Sequence, residues 1–429
     1  MKSNIFYDNA LCLKNIKFFK HLFIGPLDYD SNFINNDLIL NKNKTIINVF
    51  IDVIIFSIKS WLLVFPHILL SIYPRKKFIG NNLFVSPDFF YNKKKGYHDF
   101  WRNIHSFIDV SRVNFIYFSS FSKRFNFNSY GNCYKMDFCF TFTSFLKLLY
   151  DNFRYNIFIF FLFIKNINQK DLINIYDFIK LGYIDDFFLY LLNNDFISKI
   201  NSSKIFFISE FQYWELGLTN SSSNKFFAYQ HSGIRFKDGR LKINNLHKKN
   251  IKILVNYEIE KRFLKESYNI DSIITVNNIR NNFNTIYSNK LSSKFLFFGS
   301  TDLLLDKLIY LKLEDIIESI FYKPHPSLVF HDSVKYFNLL DKFCHEDYTP
   351  ILHSYSGATL EMLVSKTPFF VIFRHDFKDT LIIVKDVIES NISNAVQISA
   401  KHSFLKITRF PSENNFFSTE NNWEKLIQL

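Results

Sequence analysis

Short apolar runs bounded by polar or turn residues recur along this chain: NLFVSP (82–87), NFIYFS (114–119), KIFFIS (204–209), KFFAYQ (225–230) and IKILVN (251–256). Runs of that length, rich in Phe, Ile and Val, predict strands buried on both faces of a parallel sheet, with helix-like stretches between several of them. A second series repeats the pattern at closer spacing: KFLFFG (294–299), SIFYKP (319–324), YTPILHS (348–354) and TPFFVIF (367–373). The Asn-rich stretch from Asn277 to Ser293 separates the two series and reads as an interdomain linker. The pattern predicts an α/β protein with two Rossmann-like domains facing an interdomain cleft, an N-terminal one over 1–285 and a C-terminal one over 290–429. There is no repeat at a fixed period of the solenoid kind.

Two longer apolar segments stand outside that pattern. From Ile46 to Tyr73 the chain is strongly hydrophobic, but Asp52 and Lys59 interrupt it, leaving less than the roughly 18 charge-free residues of a spanning helix. On a helical wheel Asn48, Asp52 and Lys59 share one narrow stripe opposite a wide apolar face, and Arg75, Lys76 and Lys77 follow. That pattern suits a helix in the interface of an anionic membrane, and equally a buried core helix or interdomain hairpin. The second segment, Phe138 to Ile164, is broken by Lys147, Asp151 and Arg154, and reads as core.

With 429 residues the chain has length for two or three domains and ample cores. Cys12, Cys133, Cys139 and Cys344 form no CxxC pair and no zinc-type spacing, which points away from a disulfide framework or structural metal and towards the reducing cytosol. The N-terminal MKSNIFYDNALCLKNIKFF lacks the unbroken apolar core and small-residue cleavage site of a signal peptide. A formal charge of +13, from 52 basic and 39 acidic side chains, fits anionic partners in general. The 55 Phe, with many Ile, Asn and Lys, are also what an AT-rich coding sequence would produce, so the charge alone does not select a partner. No basic helix, zinc finger or RNA-recognition signature supports nucleic acid.

Candidate chemistry concentrates where predicted strands end. Lys323 and His325 follow SIFY directly, and Pro324 and Pro326 hold the loop extended, aiming the imidazole away from the strand end. Gly299 and Ser300 follow KFLFF in the same way. In HSYSGATLE, Ser354 and Ser356 precede Gly357 at the start of a predicted helix, so Ser356, the Gly357 N–H and Thr359 can cradle a phosphate, and Glu361 can reach ribose hydroxyls. Ordinary serine capping, with a glutamate favoured by the helix dipole, accounts for the same residues.

In the first series, KIFFISEFQYWE places Glu210 at a strand end, with Gln212, Trp214 and Glu215 entering the next helix. The next strand ends YQHSGIR and delivers Gln230, His231, Ser232 and Arg235. A carboxylate and an imidazole at neighbouring strand ends can supply a general base and an anion contact. No GxSxG elbow, Walker loop, GxGxxG fingerprint or DxD-like metal pair occurs in a fitting context, which favours a reaction without metal or cofactor.

KPHP followed by a Ser-rich loop and a glutamate-bearing helix resembles the C-terminal donor domain of GT-B glycosyltransferases, closest to bacterial enzymes that use CMP-activated sialic acid or Kdo. The run from SEFQYWE through YQHSGIR to ILVNYEIEKRFLKESYNIDSIITVNNIR is similar to a family of surface carbohydrate biosynthesis proteins with a WE motif ahead of a QHS-like one. Together the two resemblances span about residues 205–375. They imply that His325 contacts the donor phosphate, that Ser356 and Thr359 bind that phosphate or nearby nucleotide atoms, and that an acidic residue of the N-terminal domain is the base. The acidic-acidic-glycine motif that often carries that base is missing. Glu210 is the first candidate, Glu215 the second and Asp88 a distant third.

The implied reaction is inverting displacement at the anomeric carbon of a CMP-linked nonulosonic acid, whose carboxylate His231 or Arg235 would meet. The acceptor would be a surface glycan or lipid-linked saccharide, reached from the cytoplasm with peripheral contact to an anionic membrane. Two other readings fit the same loops: a CDP-glycerol-type polymer phosphotransferase, and a non-catalytic scaffold at the membrane.

Overall fold

The computed structural model describes residues 82–87, 91–92, 97–98, 101, 103–118, 132–135, 204–209, 213–219, 225–231, 233–236, 251–279, 292–300, 302–325, 348–408, 410 and 422–428. It also describes helical positions spread through 51–62, 142–157 and 193–200. The chain divides into two compact units, one of residues 1–229, 239–254 and 423–429, the other of 230–238 and 255–422.

In the first unit β1 (Asn82–Pro87) is followed by the two-residue antiparallel pair β2 (Tyr91–Asn92) and β3 (Tyr97–His98). Then come β4 (Val113–Phe118), β5 (Asn132–Lys135), β6 (Lys204–Ile208), helix α1 (Tyr213–Leu218), β7 (Lys225–Tyr229) and β8 (Ile251–Val255). The order β5-β4-β1-β6-β7-β8 is parallel throughout. Register explains part of the heavy use of phenylalanine: Phe115, Phe84, Phe206 and Phe227 are direct partners across four adjacent strands. Phe84 stacks on Phe206 with ring centroids 4.7 Å apart, and Phe206 on Phe227 at 4.6 Å. Such pairs add about 0.5–1.5 kcal/mol each beyond the area they bury. Trp101 and Trp423, both fully buried, close over this ladder.

The second unit contains helix α2 (Glu258–Tyr268), β9 (Ile273–Thr275), β10 (Phe295–Phe298), α3 (Leu303–Glu314), β11 (Ile320–Lys323), β12 (Thr349–His353) and α4 (Gly357–Val364). Beyond these lie β13 (Phe369–Arg374), α5 (Ile382–Glu389), β14 (Val396–Gln397) and β15 (His402–Ile407). Helix α6 (Asn422–Gln428) ends the described chain and, from Trp423 on, belongs to the first unit, where Lys204 Nζ donates to the Leu426 and Ile427 carbonyls at 3.0 Å.

The sheet order is β11-β10-β12-β13-β15-β14, parallel as far as β13 and antiparallel beyond it. Alternate side chains of each strand feed two cores. Phe297, Tyr322, Ile351 and Ile372 pack with Ile309, Tyr310 and Leu313 of α3, while Leu352, Val371 and Phe373 pack with α4 and α5. Helices on both faces of a parallel sheet are why these strands read as unbroken apolar runs.

Mixed α/β architecture with two parallel-dominated sheets is therefore established and is compatible with a two-domain Rossmann-like fold. The division differs from the expected one near residue 285. Residues 230–238 and 255–279 group with the second unit, because Ile382 N–H donates to Ile234 C=O, Phe236 N–H to Thr380 C=O, and Tyr257 and Ile259 pack into its core. Most of the expected linker, 280–291, lies outside the described residues. No helix among the described residues is long and apolar enough to cross a membrane.

Candidate functional site at three strand ends

Three adjacent parallel strands of the second unit, β11, β10 and β12, end side by side, and their carboxyl ends carry the loops singled out by sequence. Gly299 follows β10 and donates its N–H to Lys323 C=O at 2.8 Å, tying the first two loops together. Gly299 has no alternative: a Cβ there would lie 2.0 Å from Tyr322 Oη. Ser356 caps α4, its Oγ accepting from Ala358 N–H at 3.3 Å. Gly357 at the first helical position is exposed, and a Cβ there would meet nothing within 4 Å. This helix start is thus open to an approaching group at the Gly357 N–H, while Ala358 and Thr359 N–H donate to Ser356, and its positive dipole end favours an anion.

Beneath these loops lies a carboxylate that the sequence pattern does not single out. Asp306 of α3 is fully buried and accepts four hydrogen bonds: from Ser300 N–H at 2.7 Å, Ser300 Oγ–H at 2.8 Å, Tyr322 Oη–H at 2.7 Å and His353 Nε2–H at 2.9 Å. A carboxylate only accepts, so the His353 proton resides on Nε2. Burial, and then Asp306, push the Tyr322 phenol far up, which keeps it a donor. His353 also stacks on Tyr355, centroids 4.9 Å apart. One side chain thus fixes all three loops, through the residues following β10, ending β12 and within β11.

The chemistry-bearing side chains lie at the ends of these strands and on the loops and the helix that follow them. His325 is half-buried, and burial holds its imidazole below the usual histidine range, with Asp306 pulling weakly the other way. It is therefore neutral near pH 7 and presents one N–H donor and one acceptor. Lys323 sits with Nζ 5.0 Å from the Phe298 ring centroid; burial lowers its pKa, while Glu361 acts in the opposite direction. Lys323, His325, Ser356, Gly357 and Glu361 are all at least partly accessible.

Three other sequence candidates are committed elsewhere. The Ser300 hydroxyl serves Asp306; the Ser354 hydroxyl pairs with Thr380 Oγ1 at 2.9 Å; Thr359 Oγ1 donates to His353 C=O at 2.7 Å. Each of them is buried, so they shape the loops from inside.

The QHSGIR loop belongs to the same unit and reaches the same loops through backbone. Arg235 bridges Leu381, and Leu381 N–H donates to Ser354 C=O at 3.1 Å. His231 is buried and Arg235 half-buried. Gly233 takes a left-handed φ of +82°, with its Cα hydrogens against Glu260 Oε1, Leu381 and Leu360. Glu260, the third residue of α2, is fully buried and accepts from Ile234 N–H at 2.7 Å. Burial pushes its pKa up to about 7 against the downward pull of nearby backbone N–H groups. A glutamate at that helical position ordinarily caps its own helix, which is why it does not stand out in the sequence.

Of the proposed bases, Glu210 and Asp88 lie outside the described residues, as does Ser232. Glu215, the second-choice base, is described. It is fully buried and accepts from Ser209 Oγ–H at 2.9 Å, an arrangement that secures α1 to the end of β6. Among the described residues no three His, Cys, Asp or Glu side chains converge to hold a metal ion. Compared with known proteins, the chain matches no family model and no curated protein.

Proposed function

We propose that this chain is an inverting, metal-independent glycosyltransferase of GT-B type that moves a nonulosonic acid, such as sialic acid or Kdo, from a CMP donor to a surface glycan or lipopolysaccharide acceptor. The observation that carries the reading is that Lys323 and His325 end and follow β11 and the start of α4 follows β12, the two strands that flank β10, at the carboxyl edge where parallel α/β sheets bind nucleotides. His325 N–H and the Gly357 end of α4 would hold the departing phosphate. Lys323 would neutralise it, and Glu361 would take the ribose hydroxyls. Arg235 or His231 would meet the sugar carboxylate. The acceptor hydroxyl loses its proton to a carboxylate, for which Glu210 is the choice, and attacks the anomeric carbon as the C–O bond to CMP breaks.

A thermal-shift screen of CMP, UDP and GDP tests the donor class, because a ligand selective for the native state raises Tm by mass action. A rise with CMP alone is expected; no rise with any nucleotide refutes the enzymatic reading. Product analysis separates the chemistry. Phosphorus retained in the polymer would assign the same loops to alcohol-phosphate transfer of the CDP-glycerol type.

A further inference from the structure

One aromatic ring stands at the candidate site without a part in the proposed transfer. Tyr355 lies on the turn from β12 to α4 and is half-buried, whereas His353 and Ser354 before it are buried. The turn sets its direction. Ser356 N–H donates to His353 C=O at 2.9 Å, which folds the chain back on the strand end. The phenol ring then lies on the His353 imidazole, with centroids 4.9 Å apart and planes 18° from parallel. That imidazole is itself fixed, by its bond to Asp306 at 2.9 Å and by the Phe297 ring 5.3 Å away. The backbone on either side is held as well: Ser354 N–H donates to Ile372 C=O at 2.9 Å, Ser354 C=O accepts from Leu381 N–H at 3.1 Å, and Ser356 caps α4. A partly accessible ring anchored in this way is preorganised, because folding has already removed the freedom that a ligand would otherwise have to restrict.

The neighbours of the ring indicate what it meets. The Gly357 N–H at the start of α4 is two residues on, a span of at most about 7 Å, which suits the separation of a base from its own 5′-phosphate. The charge of Asp306 reaches His325, and Tyr355 adds to the upward push that Asp306 exerts on the Tyr322 phenol. The imidazole assigned to the phosphate and the aromatic ring are thus within electrostatic reach of the same anchored pair.

We propose that Tyr355 is the platform on which the base of the bound nucleotide stacks while its phosphate meets the start of α4. This rests on the nucleotide-binding reading of these loops and adds to it the side chain that recognises the base. A ring that only shielded the Asp306 hub would matter to stability and to every ligand alike; a base platform matters to ligands that carry a base.

Calorimetric titration of the full-length protein with CMP, and with ribose 5-phosphate measured by its competition with CMP, separates the two. Tyr355→Leu should weaken CMP binding at least about fivefold, as for other base-stacking aromatics, and leave ribose 5-phosphate unchanged. Tyr355→Phe, which keeps the ring face, should bind CMP within about threefold of the wild type. At saturating CMP the cytosine absorbance band should show hypochromism with the wild type and Tyr355→Phe and none with Tyr355→Leu. Equal CMP affinity of the wild type and Tyr355→Leu, an equal loss of both ligands, or no hypochromism in the saturated wild type would overturn the platform and leave the nucleotide reading standing. If Tyr355→Leu does not fold, the hypochromism of the wild type and Tyr355→Phe decides alone. No binding of CMP to the wild type would refute the nucleotide reading and the platform with it.

Discussion

Two fully buried carboxylates underlie the loops of the second unit, and they are held in opposite ways. Asp306 accepts four hydrogen bonds at 2.7–2.9 Å from three residues. Glu260 accepts a short bond from Ile234 N–H, has the Asn256 and Tyr257 N–H groups beside it, and sits where burial drives its pKa up to about 7. The first is a satisfied hub that fixes the β10, β11 and β12 loops in one arrangement. The second holds the QHSGIR loop with an interaction whose strength depends on its own proton. Burial alone does not determine what a buried acid does; the kind of donor brought to it matters, side-chain hydroxyls and an imidazole at Asp306 and backbone N–H groups at Glu260.

Removing the hub should have the largest effect. Asp306→Ala leaves Ser300, Tyr322 and His353 donors buried without an acceptor, and chemical denaturation should show a loss of about 3–5 kcal/mol, as for other broken buried charge networks. A loss near 1 kcal/mol would mean that water replaces the carboxylate and that the loops are not organised by it.

Glu260 should respond to pH instead. An acid whose pKa is higher in the fold than in the unfolded chain binds its proton more tightly when folded, so stability falls as pH rises from about 4.5 to about 7 and is level above that. Glu260→Gln should match the wild type near pH 4.5 and exceed it at pH 8 by up to about 3 kcal/mol. Parallel stability profiles for the two proteins would show that Glu260 is not held neutral by burial.

Both anchors are invisible in the sequence for a physical reason. Asp306 lies in LLLDKLIYLKLE, where one aspartate looks like a solvated helix face; its partners Tyr322 and His353 are 16 and 47 residues away. Glu260 has the spacing of a helix cap, and only the fold brings Ile234 to it. The nine apolar runs, by contrast, coincide with strands, because a strand buried on both faces needs no distant partner to be recognised. The antiparallel edge β14–β15 and the short β5 escape the same reading: KHSFLKI carries polar residues, and NCYK begins and ends with one. The unit boundary differs from the expected one because what ties 230–238 to the second sheet is backbone hydrogen bonding to 380–382, which leaves no side-chain signature.

Glycines sharpen the contrast between the closed interior and the open rim of the site. Gly299→Ala would force a methyl into Tyr322, the phenol bound to Asp306, and should destabilise by about 1–3 kcal/mol in thermal or urea melts. Gly357→Ala meets empty space and a helical backbone, so it should be neutral or stabilise by about 0.4–1 kcal/mol, yet weaken nucleotide binding if phosphate approaches that N–H closely. Equal effects of the two substitutions on stability would erase the distinction.

The central claim is that the strand-end loops of the second unit bind a cytidine nucleotide phosphate through His325. Isothermal calorimetry of the full-length protein with CMP, wild type beside His325→Ala, measures this without needing the acceptor. The account predicts saturable binding to the wild type, at least about tenfold weaker in the variant, with both proteins melting at similar temperatures. No heat of binding to the wild type, or equal affinity in the two proteins, would contradict it.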